Sequence, residues 1–138
     1  MPLQLTYLCP LIQVFDMVES VRFYCELLGF EVVQASREVE TPEGRFFHWC
    51  WLRLGSANLM LNTAYDAGER PPVRDTARQA HHADTGLYFG CTDVDAVYAA
   101  LVARGLAIDP PHDTSYGMRQ LHLRDPDGYA LCFQAASG

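Results

Sequence analysis

Two short stretches hold the side chains best suited to chemistry. The segment "RQLHLRDPDGYALCFQ", residues 119 to 134, carries Gln120, His122, Cys132 and Gln134, separated by apolar residues. The segment "HWCWLRLGSANLMLN", residues 48 to 62, carries Trp49, Trp51, Arg53, Asn58, Met60 and Asn62 in the same every-other pattern. Side chains alternate between the two faces of a strand, so each segment reads as a hairpin with one apolar face and one chemically rich face. In the first, Pro126-Asp127-Gly128 suits a three-residue loop closed by a left-handed glycine. That loop pairs Arg124 with Ala130 and sets His122 across from Cys132, leaving Leu121, Leu123, Leu131 and Phe133 on the opposite face. In the second, a two-residue turn at Gly55-Ser56 pairs Leu52 with Leu59 and Trp51 with Met60. A slip of one residue would exchange every face.

Three chemistries are open to Cys132. A buried free cysteine behaves as a small hydrophobe and can simply line a pocket with Met60 and Cys9, which is the default. Cys9, Met60 and Cys132, joined by His122, would also suit a soft metal through thiolate and thioether ligands. Alternatively, Cys132 is a nucleophile activated by His122, which requires a lowered thiolate pKa and access to substrate; no third, orienting group stands out in the sequence. His122 itself can donate or accept a hydrogen bond, or move a proton near neutral pH. Trp49 and Trp51 serve either as packing or as flat stacking surfaces for an aromatic ligand. His48 falls on the apolar face of its strand and reads as a hydrogen-bonded core residue. His81, His82 and His112 read as structural or solvated, and the "TSYGM" loop, with Tyr116 and Gly117, as a mobile lid.

These strands belong to a duplicated pattern. "VESVRFYCELLGF" (18 to 30) and "VDAVYAALVARGL" (94 to 106) share valine, acid, small residue and valine at the start and glycine at the end, at an offset of 76 positions. Apolar residues recur at helical spacing in both, Val18, Val21, Cys25 and Leu28 in the first and Val94, Val97 and Leu101 in the second, with Gly29 and Gly105 at the helix ends. A short strand precedes each helix, "LCPLIQV" and "GLYFGC", and strands follow, "LAIDPP" being a shorter counterpart of "EVVQAS". Both halves therefore read β-α-β-β-β: module one spans 3–62 and module two 85–135, joined by a polar linker at 63–84 that carries Pro-Pro. By alternation Ile12 and Val14 lie under the first helix while Cys9, Leu11 and Gln13 face away from it. Leu87 and Phe89 lie under the second, with Gly86 and Tyr88 facing away.

The 138 residues, 49% hydrophobic, fit one globular domain with a substantial core. The net charge of −7, the absence of lysine and the scattering of ten arginines speak against a nucleic-acid partner. Five cysteines without a CxxC pair predict reduced thiols and a cytoplasmic location, and no apolar run suits a membrane span or a signal peptide.

The segments "VFDMVESVRFYCELLGF" and "HLRDPDGYALCFQ" resemble the signature segments of the vicinal oxygen chelate superfamily, which includes glyoxalase I, bleomycin-resistance and fosfomycin-resistance proteins and extradiol dioxygenases. The resemblance covers nearly the whole chain. It implies an α+β fold in which two tandem β-α-β-β-β modules form a cupped mixed sheet, with helices on the convex side and a small-molecule cavity on the concave side, completed as a rule by a homodimer. Metal-dependent members hold a cation through one residue from the first and one from the last strand of each module. The matching positions here are Cys9, Met60, Gly86 (Thr85 if the offset is applied strictly) and Cys132. None is an imidazole or oxygen ligand, so no metal and no cofactor is expected.

The expected pocket comprises Cys9, Gln13, Trp49, Trp51, Arg53, Met60, Tyr88, Tyr116, Gln120, His122 and Cys132. The implied function is binding of a drug or metabolite, as in the bleomycin-resistance branch. With Arg53 and no acidic residue on the cavity strands, a neutral or anionic aromatic or heterocyclic compound is expected. The alternatives are a glyoxalase-type metal-dependent lyase, isomerase or dioxygenase whose ligands include His122 with His81 or His82; a thiol enzyme or soft-metal site at Cys132 and His122; and a dimeric structural or regulatory module with a vestigial pocket.

Overall fold

Alternation in "WCWLRL" and "ANLMLN" makes β5 (Trp49–Leu54) and β6 (Ala57–Thr63) a hairpin whose turn passes through Gly55 in the left-handed region, φ 57°. Cys50, Leu52, Leu59 and Leu61 are buried on one face, while Trp49, Trp51, Asn58, Met60 and Asn62 remain half-exposed on the other. The computed structural model describes residues 1–66 and 68–137 and divides the chain after Arg70 into two units. In the first unit the hairpin is flanked by β1 (Leu11–Val14), parallel to β6, and β2 (Glu31–Ala35), antiparallel to β5, in the order β1-β6-β5-β2. A second, separate hairpin, β3 (Val39–Thr41) with β4 (Gly44–Phe46), interrupts the path from β2 to β5. Nothing in the alternation of the sequence announces this pair.

The first helix begins at Asp16, whose carboxylate accepts from the Glu19 amide at 3.0 Å, runs as α1 (Met17–Val21) and continues as a π-helical segment, Arg22–Leu27. Its buried residues are Met17, Ser20, Phe23, Tyr24 and Leu28, not the Val18, Val21, Cys25 stripe expected from the repeat. The cause is one inserted residue. The chain has one residue more between the cap Asp16 and Gly29 than between the cap Asp93 and Gly105. A π-helical turn absorbs such an extra residue, seen here in the Leu28 amide reaching back five positions to the Phe23 carbonyl at 3.2 Å. Before the helices the two halves are thus related by 77 positions, which makes Gly86, and not Thr85, the counterpart of Cys9.

In the second unit β7 (Gly86–Gly90) runs parallel to β10 (Ala130–Ala136), which pairs with β9 (Met118–Arg124) and through it with the two-residue β8 (His112–Asp113), in the order β7-β10-β9-β8. Helix α3 (Val94–Ala103) buries Val94 and Leu101 over Leu121, Leu123, Leu131 and Phe133, and Phe89 stacks on Phe133 at 5.1 Å. The expected strand at "LAIDPP" is irregular backbone; two prolines deny it the amide donors of a ladder, and pairing resumes only at His112. The register of the β9–β10 hairpin is as the turn dictates: Arg124 opposite Ala130, His122 opposite Cys132.

The stretch expected as a polar linker holds a second helix of its own, α2 (Thr76–His82), capped by Asp75. It docks on the Pro126-Asp127-Gly128 loop. Gln79 donates from Nε2 to the Pro126 carbonyl at 3.2 Å, His82 Nδ1 lies 2.7 Å from the Asp127 carbonyl, and the His82 ring stacks on Tyr129 at 4.0 Å. Asp125, buried, accepts from the amides of Asp127 and Tyr129 at 2.9 Å each, and Arg74 lies 3.7 Å from the Asp127 carboxylate. The turn that sets the His122–Cys132 register is therefore fixed from both sides.

Candidate binding faces

Each unit presents the sheet face opposite its helix. In the first, the register brings Leu11, Met60 and Trp51 into one row across β1, β6 and β5, and the following row holds Gln13, Asn62 and Trp49. Asn58 is the organising residue: its Oδ1 accepts from Trp51 Nε1 at 3.0 Å and from Arg53 Nε at 3.2 Å. The Arg53 guanidinium lies over the Trp51 ring, 5.6 Å from its centroid, and Tyr7 packs on the same indole at 5.4 Å. With Nε engaged by Asn58, neither terminal guanidinium nitrogen bonds to another described residue. Asn62 Nδ2 donates to Gln13 Oε1 at 3.3 Å and to the Thr63 carbonyl at 3.2 Å.

Two expectations about this face need correction. Cys9 lies outside β1 in irregular backbone, because Pro10 follows it; it remains half-buried, and burial raises its thiol pKa despite the nearby Arg53. The face also carries a carboxylate: β2 places Glu31 directly opposite Arg53, although no ion pair joins them. His48, expected in the core, is exposed at the rim on the opposite side, 3.4 Å from Ser36 Oγ through Nδ1, because β5 begins only at Trp49.

In the second unit the equivalent row is Tyr88, Cys132 and His122. Tyr88 is 59% exposed, whereas Cys132 is 2% exposed. Gln120, at 3%, joins the polar groups: it donates from Nε2 to Tyr116 Oη and to Gln134 Oε1, both at 3.1 Å, and its Oε1 lies 3.1 Å from His122 Nε2. The geometry makes His122 a donor to Gln120 through Nε2. His112, read from the sequence as structural or solvated, stacks on His122 at 5.4 Å. Partial burial, and then the neighbouring His112, hold the His122 pKa below its ordinary value, so the imidazole is neutral at pH 7. Arg124 shares this face and donates to the Gly128 carbonyl at 3.3 Å. Glu31, His112 and Arg124 were the residues missed; the edge pairing of β2 and β8 that places Glu31 and His112 leaves no periodic trace in the sequence, whereas Arg124 follows from the alternation of β9 that also places Gln120 and His122.

The thiol chemistry considered for Cys132 does not assemble. Its Sγ approaches the Phe133 carbonyl at 3.9 Å, His122 is turned to Gln120, and burial pushes the thiol pKa up, which keeps it protonated. The superfamily's metal positions lack the imidazole and oxygen donors of a hard divalent ion. They hold a half-buried thiol, a thioether, a glycine and a buried thiol, and no cluster of three His, Cys, Asp or Glu exists among the described residues. His82, an alternative ligand, is committed to Asp127 and Tyr129. The "TSYGM" loop, expected as a mobile lid, carries three hydrogen bonds here: the Thr114 amide donates to Met118 O at 2.7 Å, the Met118 amide to Thr114 Oγ1 at 3.0 Å, and the Ser137 amide to Gly117 O at 2.9 Å.

Several solved structures share this fold. A glyoxalase/bleomycin resistance protein from Streptomyces sp. CB03234 is 27% identical, covering 92% of this chain and 97% of that one with a TM-score of 0.62. TnmS3, an antibiotic binding protein from the same Streptomyces, is 24% identical over 99% of this chain and all of that one, TM-score 0.67. TioX from Micromonospora sp. ML1 is 17% identical over 95% and 98%, TM-score 0.71. No curated protein matches the chain significantly in sequence. The family model described as Glyoxalase/Bleomycin resistance protein/Dioxygenase superfamily matches residues 5–133, and the chain belongs to that superfamily.

Proposed function

We propose that the protein binds a small aromatic or heterocyclic molecule, neutral or anionic, without a metal, in the manner of the bleomycin-resistance branch. The observation that carries this reading is the Trp51–Asn58–Arg53 arrangement. An indole offers a stacking surface, and a guanidinium held by Asn58 Oδ1 over that indole keeps its two terminal nitrogens for a ligand. The description of TnmS3 as an antibiotic binding protein is in keeping with it. Two features argue against a catalytic thiol or a bound divalent ion: the raised thiol pKa of Cys132 and the donor types at the superfamily's metal positions.

The working form in this reading is a two-fold dimer. Leu3, Leu5 and Leu8 are each more than 80% exposed and Leu11 47%, an apolar surface that a second copy would cover. Five free cysteines suit the cytoplasm.

Thermal-shift screening with matched pairs of aromatic acids and amines tests the function. Acids or neutral rings should stabilise the protein, and Arg53→Ala and Trp51→Ala should each remove the effect. Stabilisation by amines alone, unchanged in Arg53→Ala, would overturn it.

A further inference from the structure

The first unit contains a cavity of about 200 Å³ that lies away from the Trp51 face. Pairing shows the separation: Trp49 is opposite Asn62 on the helix-free side, so their neighbours His48 and Thr63 turn to the other side, where Thr63 meets Val14. There the β3–β4 hairpin covers the end of the sheet. The inner wall is apolar, formed by Phe15, Met17, Val39 and Tyr65, with Phe15 and Tyr65 edge to face at 6.4 Å.

The charged groups at this cavity are already sorted. Arg70 is bonded to the Glu43 carboxylate, donates to the Phe15 carbonyl at 3.2 Å and lies over the Phe15 ring at 4.7 Å. Glu40 is paired with Arg45 at 3.0 Å. Asp66 stands at the rim and makes no side-chain hydrogen bond or ion pair with another described residue. His48 is anchored through Nδ1 to Ser36, which leaves Nε2 available. An apolar, aromatic interior with one uncompensated carboxylate at its mouth fits a ring carrying a single positive charge, and the volume admits one such ring.

We infer that the cavity under the β3–β4 hairpin, between Phe15, Tyr65 and Asp66, is a second binding site, selective for a small monocationic aromatic such as an arylamine or arylamidine. It is independent of the Arg53 face, whose charge favours the opposite ligand.

Full-chain protein titrated with benzamidine and, separately, benzoate, followed by amide and indole NMR shifts, tests the assignment. Benzamidine should give saturable shifts at Phe15, His48 and Thr63 while both tryptophan indoles stay still, and benzoate should not shift these residues. Asp66→Asn should weaken benzamidine about two- to fivefold, the range for an ion pair open to solvent. Val39→Trp, on the surface hairpin, should abolish binding by filling the cavity; if it perturbs folding, Asp66→Asn alone decides. Benzamidine shifts confined to the Trp49 and Trp51 indoles, equal binding of benzoate at the cavity, or an unchanged affinity in Asp66→Asn would each overturn the site.

Discussion

Gly128→Ala tests whether helix α2 holds the hairpin that aligns His122 with Cys132. Gly128 has φ 85°, and a Cβ there would lie 2.5 Å from the Gln79 carbonyl oxygen and 2.8 Å from Gln79 Cγ. The conformational part of the cost is about 1 kcal/mol for an alanine in the left-handed region. The steric part cannot be relieved by a rotamer change, since the nearest atom is backbone, so α2 must move away. That movement gives up the Gln79–Pro126 and His82–Asp127 hydrogen bonds, about 1 kcal/mol each, and the His82–Tyr129 stack, about 0.5–1 kcal/mol. The sum is about 3.5–4 kcal/mol. Gly105→Ala is the control: its φ is 93° but nothing lies within 4 Å of an added Cβ, so it should cost only about 1 kcal/mol. Urea unfolding of both variants measures the difference, which should also appear as a larger fall in Tm for Gly128→Ala. A Gly128→Ala variant within about 0.5 kcal/mol of Gly105→Ala would refute the docking of α2, because additive errors of that size are all that separate independent sites.

His122 should titrate by NMR below the ordinary histidine value of 6.5, and His112→Ala should raise its midpoint. Because the unfolded chain then binds more protons in that window, this residue's contribution to stability is present above pH 6.5 and is lost as pH falls through the folded pKa; a midpoint above 6.5 would contradict the assignment. Cys50, its pKa pushed up to about 12, and Cys132, 2% exposed, should react with iodoacetamide at pH 7.5 at least about tenfold more slowly in the folded protein than in urea, as mass spectrometry of the labelled peptides would show. Glu31→Gln should strengthen binding of aromatic acids about two- to fivefold by removing the carboxylate opposite Arg53, and calorimetric titration finding weaker binding would count against the placement of that ligand. Protein purified without a tag should carry well under one equivalent of first-row metal, and EDTA should leave its melting temperature unchanged; a stoichiometric metal held by the helix-free faces would defeat the proposed metal-free function.

Sequence periodicity by itself determined the duplicated β-α-β-β-β order and the pairing of both hairpins. The turns Gly55-Ser56 and Pro126-Asp127-Gly128 have local requirements that fix register, and register fixes which of Trp51, Met60, His122 and Cys132 share a face. The glycines that end the helices, Gly29 and Gly105, both at φ 93°, are local in the same sense. What the sequence left open depends on contacts distant along the chain. The π-helical turn exists because the helix must reach Gly29 with one residue too many while keeping Phe23 and Tyr24 buried, a demand set by the sheet beneath it. Helix α2 was hidden in polar composition because its stabilising partners, Asp127 and Tyr129, lie on the last hairpin and not within the helix. Asn58 was legible as a residue on the right face, but its part in aiming Arg53 over Trp51 is decided by side-chain geometry across two strands, and Glu31 and His112 reached their faces only through edge-strand pairing, which period-two patterning does not encode.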